Sequence, residues 1–324
     1  MLSSINSMIL LATTCYQAIA CLIEDRHSPP GQLIDVGGYN LHLYTAGEFG
    51  PTVVLEHSLG GIEGYLLLPE IAKLTRVCIY DRAGYGWSDH SPYPRTSQQI
   101  VTELDNLLTK AGIEPPLILV GNSFGSYNVR LYAQQFPEKV MGIILTDGLH
   151  ETAMLKMPMH LQCLKLFFLS GFVMSFLGAT LGIVRLLKAI GTFEAIKREL
   201  GKFPQETLKP VKRSFCRPKH WITMSREILN LDTSSRQVES ANYFGALPIV
   251  SIKANTFFHP SPWTLFLPSR AANLLREQMH DELLNLSKNC VQLQADRSSH
   301  FVWIDQPEVI VTAILHILKN CDRN

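Results

Sequence analysis

Charge of one sign is what this 324-residue chain lacks: 29 lysines and arginines stand against 28 aspartates and glutamates, a formal net charge of +1. A nucleic-acid-binding surface needs a basic face, and this balance offers no case for one. Cysteines give no framework either. The seven (Cys15, Cys21, Cys78, Cys163, Cys216, Cys290 and Cys321) are odd in number, scattered and never spaced C-x-x-C, which implies neither a zinc site nor a disulfide scaffold. Reduced, mostly buried thiols are expected. No internal repeat or low-complexity tract is present. Charge is also missing from Leu2 to Ile23, and no Lys or Arg precedes Arg26. That stretch is long enough for a spanning helix, yet Ser3, Ser4, Asn6, Ser7, Thr13, Thr14 and Gln17 dilute it. It also lacks the basic n-region of a secretory signal, although Ala18-Ile19-Ala20 resembles a cleavage site. Three readings stand: a weak anchor or interfacial helix, a cleaved signal, and a helix packed on the protein. A cytoplasmic or membrane-associated location is expected ahead of secretion. Ser28-Pro29-Pro30-Gly31 then forms a turn-rich linker.

What the chain does have is apolar residues, at 46%, enough for a sizeable core in one or two domains. Gln32–Val36 and Leu41–Thr45 alternate around Gly37-Gly38-Tyr39-Asn40 and read as a hairpin. Short apolar runs at 52–55, 76–80, 117–120, 140–146, 248–254 and 291–295 read as strands. Between several of them lie helical patterns, such as Ile100, Leu104, Leu107, Leu108 and Ala111 behind a Thr96/Gln99 capping box. Apolar runs alternating with helices predict a mainly parallel sheet covered on both faces. Catalytic residues then belong in loops beyond the carboxyl ends of the strands. From about 150 to 240 the pattern is helical with no good strand.

The most informative stretch is Leu117-Ile118-Leu119-Val120-Gly121-Asn122-Ser123-Phe124-Gly125, followed by a helical run from Tyr127 to Gln135. Strand, G-x-S-x-G and helix is the context in which that motif carries chemistry. The glycines let the backbone turn sharply and project Ser123, and the N–H of Phe124 faces the same space. A serine hydroxyl needs a base to take its proton and an acid to orient the base. Ser, acid, His is a recognised chain order. Here Ser123 is followed by carboxylates and then by His300, in the loop after the last strand.

Gly121–Gly125, the run Tyr80-Asp81-Arg82-Ala83-Gly84-Tyr85-Gly86-Trp87-Ser88 and Ser299-His300-Phe301 together resemble the α/β-hydrolase superfamily, of the lid-bearing serine-hydrolase type. The resemblance covers roughly residues 32–150 and 245–320. It implies an α/β fold with a mainly parallel, eight-stranded, doubly wound sheet and a helical lid after the sixth strand. The domains are then an apolar N-terminal helix (1–28), a hydrolase core (29–150 and 241–324) and a lid (151–240). It also implies His300 as general base and needs no cofactor or metal. In most of the superfamily the acid follows the seventh strand. Here that region holds Asn255 and no Asp or Glu through Pro262. Asp147, directly after the sixth strand, is the expected replacement, as in some members. Asp305 is a further candidate, better explained as the cap of a final helix from Gln306 to Lys319. The oxyanion donors implied are the N–H groups of Phe124 and Leu59. The family usually has His-Gly-x in the second of these loops, where this chain has Ser58. Asp81 reads as a structural turn residue.

Three functions remain open on these residues. The first is a serine hydrolase cleaving an ester or related acyl bond through an acyl-enzyme. The second is a carbon–carbon bond hydrolase or small peptidase of the same superfamily. The third is a non-catalytic binding protein on a hydrolase scaffold. The expected partner is a small hydrophobic molecule, suggested by Phe167, Phe168, Phe172, Met174 and Phe176 in the insert. Membrane association through 2–23 or 166–184 is a further expectation; the second stretch is uncharged between Lys165 and Arg185 but punctuated by Gly171, Gly178 and Gly182. Lys209, Lys212, Arg213, Arg217 and Lys219 read as a solvated basic face, with an anion or lipid-headgroup contact as the alternative.

Overall fold

A computed structural model describes residues 2–257 and 269–321. The loop positions His259 and Trp263, and the stretch from 258 to Pro262, lie outside them. Eight strands form one sheet: β1 (Gln32–Asp35), β2 (Asn40–Ala46), β3 (Thr52–Glu56), β4 (Val77–Asp81), β5 (Leu117–Asn122), β6 (Val140–Thr146), β7 (Ile249–Ala254) and β8 (Cys290–Ala295). Their order is β1-β2-β4-β3-β5-β6-β7-β8. The β1–β2 hairpin and the β2–β4 pair are antiparallel, and every later pairing is parallel.

The apolar runs read as they do because both faces of the sheet are covered. Val54, Cys78, Leu119, Ile143 and Leu145 pack with Ile100, Leu104, Leu131, Met279 and Leu283 from helices Ser97–Lys110, Gly125–Gln135 and Ser269–Leu284. Their neighbours in sequence, Val53, Leu55, Ile79, Ile118, Val120 and Ile144, pack with Leu67, Ile71, Ile310, Ile314 and Ile317 from helices Gly64–Ile71 and Glu308–Cys321. Side chains alternate between faces with the period of two that a strand imposes. A strand buried on both sides therefore has no polar residue to alternate with.

Two local expectations differ from what is seen. Thr96 does cap its helix, its hydroxyl accepting from Gln99 N–H at 3.4 Å. The Gln99 amide does not reach back; it donates to Tyr39 Oη and Glu103 Oε1. Asp305 lies in its own short helix, Val302–Asp305, and does not cap the one that begins at Glu308. Its carboxylate turns to the loop before it, where Oδ2 accepts from Ser299 N at 2.9 Å and Ser299 Oγ at 2.6 Å.

Between β6 and β7 the chain is helical among the described residues. Met159–Thr180, Gln205–Phe215 and Pro218–Leu229 are its longer helices. Helix Pro218–Leu229 lies over the core: the Met224 side chain occupies the space beside Gly60, in the loop after β3. Helix Met159–Thr180 packs on its outer side, with Phe172 and Trp221 ring centroids 6.4 Å apart.

The N-terminal helix Leu2–Asp25 joins this insert. Gln17 is buried, donating to Cys216 O at 2.8 Å and accepting from Arg185 Nε at 2.6 Å. At the helix end, Glu24 pairs with Arg185, and Arg217 grips both oxygens of Asp25 at 2.7 and 2.9 Å. Arg213 also reaches Asp25, at 3.1 Å. Arg213 and Arg217 are thus not part of a solvated face. Both are buried, and two carboxylates nearly two hundred residues away supply their partners. A count of local charge cannot see such pairing.

Candidate active site

Ser123 stands at the turn between β5 and helix Gly125–Gln135, with φ +50°. The flanking glycines are there because nothing larger fits. A Cβ on Gly121 would meet Gly125 O at 2.6 Å, and one on Gly125 would meet Glu56 O at 2.4 Å. The tight approach leaves Ser123 strained but aimed outward. Asp147 ends β6 in a similar way, at φ +41°. Among the described residues these two are the non-glycine positions with positive φ.

His300 bridges them. Its Nε2 lies 2.8 Å from Ser123 Oγ, and its Nδ1 lies 2.5 Å from Asp147 Oδ2. With Nδ1–H donating to the carboxylate, Nε2 is left to accept the serine proton. Phe257 stacks on the imidazole with centroids 4.6 Å apart. The structure therefore brings Ser123, Asp147 and His300 into one chain of hydrogen bonds. Asp305 stands behind that chain and holds the Ser299 end of the histidine loop; the insert's Lys197 pairs with it at 2.5 Å.

The position of Asp147 follows from the sheet order. β6 and β7 are neighbours, and Asp147 N–H donates to Ile252 O at 2.8 Å. A carboxylate at the end of β6 therefore reaches the space a residue after β7 would fill. The Ala254 N–H donates to Asp147 Oδ1 at 3.2 Å. Two side chains from helix Ser269–Leu284 join it there: His280 Nε2 at 2.9 Å and Arg276 Nη1 at 3.3 Å. Burial works to raise the carboxyl pKa. Hydrogen bonds from His280 and His300, with the Arg276 charge beside them, overcome that and hold Asp147 well below the usual carboxylate range.

The loop after β3 approaches the serine turn from the other side. Neither Leu59 N–H nor Phe124 N–H has an acceptor among the described residues. Ser58 Oγ donates to Glu63 Oε1 at 2.8 Å, and Asn122 Nδ2 donates to the same oxygen at 2.9 Å. Glu63 thus ties the loop to the turn, and Ser58, in place of a glycine, supplies one end of the tie. Burial raises the Glu63 pKa, but the neighbouring His57 and the hydrogen bonds it accepts hold it below the ordinary value. Asp81 does stay structural: Oδ2 accepts from Trp87 N–H at 2.9 Å and from His42 Nδ1 at 3.0 Å.

Arg276, His280, Glu63 and the buried pair that Arg82 Nε makes with Glu227 Oε1 at 2.9 Å were not found by sequence reasoning. Arg82 lies inside a recognised motif, but its partner is 145 residues away. The others carry no local pattern.

Residues 51–180 match a sequence family described as alpha/beta hydrolase fold. An AB hydrolase superfamily protein of Gibberella zeae is 24% identical over 273 residues, covering 75% of this chain and 78% of that protein. An uncharacterised Bacillus subtilis protein, YbdG, is 29% identical over 121 residues; this covers 36% of this chain and 37% of that protein, so the chain spans well under two thirds of it. Among solved structures, an enol-lactonase from Burkholderia xenovorans superposes with a TM-score of 0.60 at 16% identity, covering 89% of this chain and all of that one.

Proposed function

We propose, from the premise that the chain belongs to the α/β-hydrolase superfamily, that it is a serine hydrolase cleaving an ester or related acyl bond through an acyl-enzyme. The observation that carries this is the run of contacts from Ser123 Oγ through His300 to Asp147, at 2.8 and 2.5 Å. Ser123 Oγ attacks the acyl carbon while its proton passes to His300 Nε2. Asp147 stays ionised, fixes the imidazole tautomer and stabilises the imidazolium. The oxyanion is received by the N–H groups of Leu59 and Phe124. His300 then returns its proton to the leaving oxygen. Water, activated the same way, releases the acid and restores the serine.

The preferred acyl group is hydrophobic. The support is the apolar make-up of the insert, which carries Phe167, Phe168, Phe172, Met174 and Phe176; Leu166 and Met174, at 68% and 67% exposure, bear on lipid contact. Ser7–Asp25 and Gln162–Thr180 are each long and apolar enough to cross a membrane by length and composition. Contact of these helices with lipid is part of this reading, since exposed apolar area of this kind marks interaction surfaces.

A fluorophosphonate probe tests the chemistry. Wild type is expected to label and Ser123→Ala to stay unlabelled. A folded wild type that does not label would leave only the binding-protein reading. Hydrolysis of p-nitrophenyl esters of rising chain length tests the substrate class, with kcat/KM expected to climb from acetate to octanoate. Faster cleavage of a carbon–carbon bond or a peptide than of every ester would replace the esterase reading by one of its relatives.

A further inference from the structure

Arg82 sits at the end of β4, 1% exposed, and each of its five N–H groups has an acceptor. Nε and Nη2 donate to the two carboxylate oxygens of Glu227, both at 2.9 Å. Nη1 donates to Glu56 Oε1 at 2.9 Å and His57 O at 2.8 Å. The remaining Nη2 hydrogen goes to Ser58 O at 2.7 Å. That last contact matters for the site. The Ser58 carbonyl and the Leu59 N–H belong to one planar trans peptide, so they point in opposite directions. A guanidinium that fixes the carbonyl fixes the N–H as well. Its charge also polarises the peptide and makes the N–H a stronger donor. The same guanidinium lies 5.6 Å from the ring centroid of Phe124, whose N–H is the other oxyanion donor.

We propose that Arg82, clamped by Glu227 of the helical insert, is a positioning residue that aims the Ser58–Leu59 peptide at the oxyanion. This inference rests on the serine-hydrolase reading above. Glu227 is on helix Pro218–Leu229, the helix that also places Met224 beside Gly60. Tyr85 Oη donates at 2.8 Å to the Glu227 oxygen that Arg82 Nη2 also uses, and Asn128 Nδ2 donates at 2.8 Å to the Glu56 oxygen that Arg82 Nη1 also uses, so each carboxylate has a second donor fixing it in place. The oxyanion site is therefore complete only with that insert helix seated on the core. Lysine cannot replace the arginine, since a single ammonium has three donors and no planar fork.

The test compares Arg82→Lys and Glu227→Gln with wild type on p-nitrophenyl butyrate and on an alkyl trifluoromethyl ketone, which adds to the serine as a tetrahedral oxyanion. Arg82→Lys is expected to lower kcat about a hundredfold, on the scale of losing one oxyanion donor, with KM nearly unchanged. Affinity for the ketone is expected to fall by the same factor as kcat/KM, and the pH midpoint of activity to stay put. Glu227→Gln is expected to show the same signature at about tenfold. A folded Arg82→Lys enzyme with wild-type kcat would overturn the proposal. So would a slow one that binds the ketone as tightly as wild type. If Arg82→Lys does not fold, Glu227→Gln decides alone: wild-type kcat and ketone affinity overturn the proposal. A wild type that neither labels nor hydrolyses would instead sink the functional reading on which this rests.

Discussion

The His280 imidazole stands 2.9 Å from Asp147 Oδ1, on the oxygen that His300 does not use. One buried carboxylate thus serves two histidines, one from the loop after β8 and one from a helix packed on the sheet. His280 Nε2 must carry the proton, since the carboxylate accepts, and Nδ1 then faces the Ser251 hydroxyl at 3.4 Å.

Replacing His280 by Leu leaves that oxygen with fewer donors in a buried site. The expected loss is about 1–3 kcal/mol at pH 7, read from chemical denaturation. The sign with pH follows from the depressed Asp147 pKa. A carboxyl held below its unfolded value stabilises the fold at pH above that value, and the stabilisation drains as pH falls toward the folded value. In the His280→Leu protein the folded pKa rises, so the acid transition is expected at higher pH than in wild type. An unchanged acid midpoint would mean that His280 does not support the carboxylate.

Asp147→Asn isolates the other partner. The neutral amide presents the wrong pattern to His300, and kcat is expected to fall about ten-thousandfold with the fold retained, as in other triads with that change. Near-wild-type turnover would move the acid elsewhere.

Asp305 makes a separate prediction. Its removal in Asp305→Ala leaves the buried Ser299 N–H without its acceptor and Lys197 without its carboxylate. Stability is expected to drop by about 1–3 kcal/mol, and kcat to fall more than KM rises, because the loop it holds carries His300. Unaltered kcat would confine Asp305 to a structural role.

Buried neutral histidines give the protein an acid sensitivity that begins above the carboxylate region, near about pH 6.5, and runs down into it. His220, wholly buried beside Tyr85 and Phe215, has its pKa pushed down to about 3 by burial, with the Arg82 and Lys219 charges adding to the shift. His150 is pushed down to about 4 by burial and by Arg130. Below the ordinary histidine pKa of about 6.5 the unfolded chain takes up protons that the folded one refuses. Stability therefore falls with pH, by up to about 1.4 kcal/mol per unit for each such group, and the His220 contribution levels off only below its folded value. Urea midpoints at pH 7 and pH 5 check this, and His220→Phe is expected to reduce the difference between them.

Much of the fold was legible because burial on both faces writes itself as short apolar runs, as in Val53–Leu55 and Leu117–Val120. The serine turn was legible because its glycines answer a local steric demand. Asp147 could be singled out because the loop after β7 offers Asn255 and no acid among its neighbours. Arg213 and Arg217 were misread because their partners, Glu24 and Asp25, come from the far end of the chain. Arg276, His280 and Glu227 were invisible for a similar reason. Each acts across more than a hundred residues of sequence, and their helices turn two or three polar residues inward without any local signal of the partner they meet. Asp305 was given a local role that its position allowed and its neighbour Ser299 outcompeted.

The positive φ of Ser123 sets stability against the proposed chemistry at one position. L-residues in that region cost of order 1–3 kcal/mol, and glycine escapes most of it. A Ser123→Gly chain is therefore expected to be harder to unfold than Ser123→Ala, and on the proposed serine-hydrolase reading it is inert. A screen for heat resistance alone would drift toward such inert survivors. Only a selection that reads turnover would hold serine at the place where the backbone least favours it.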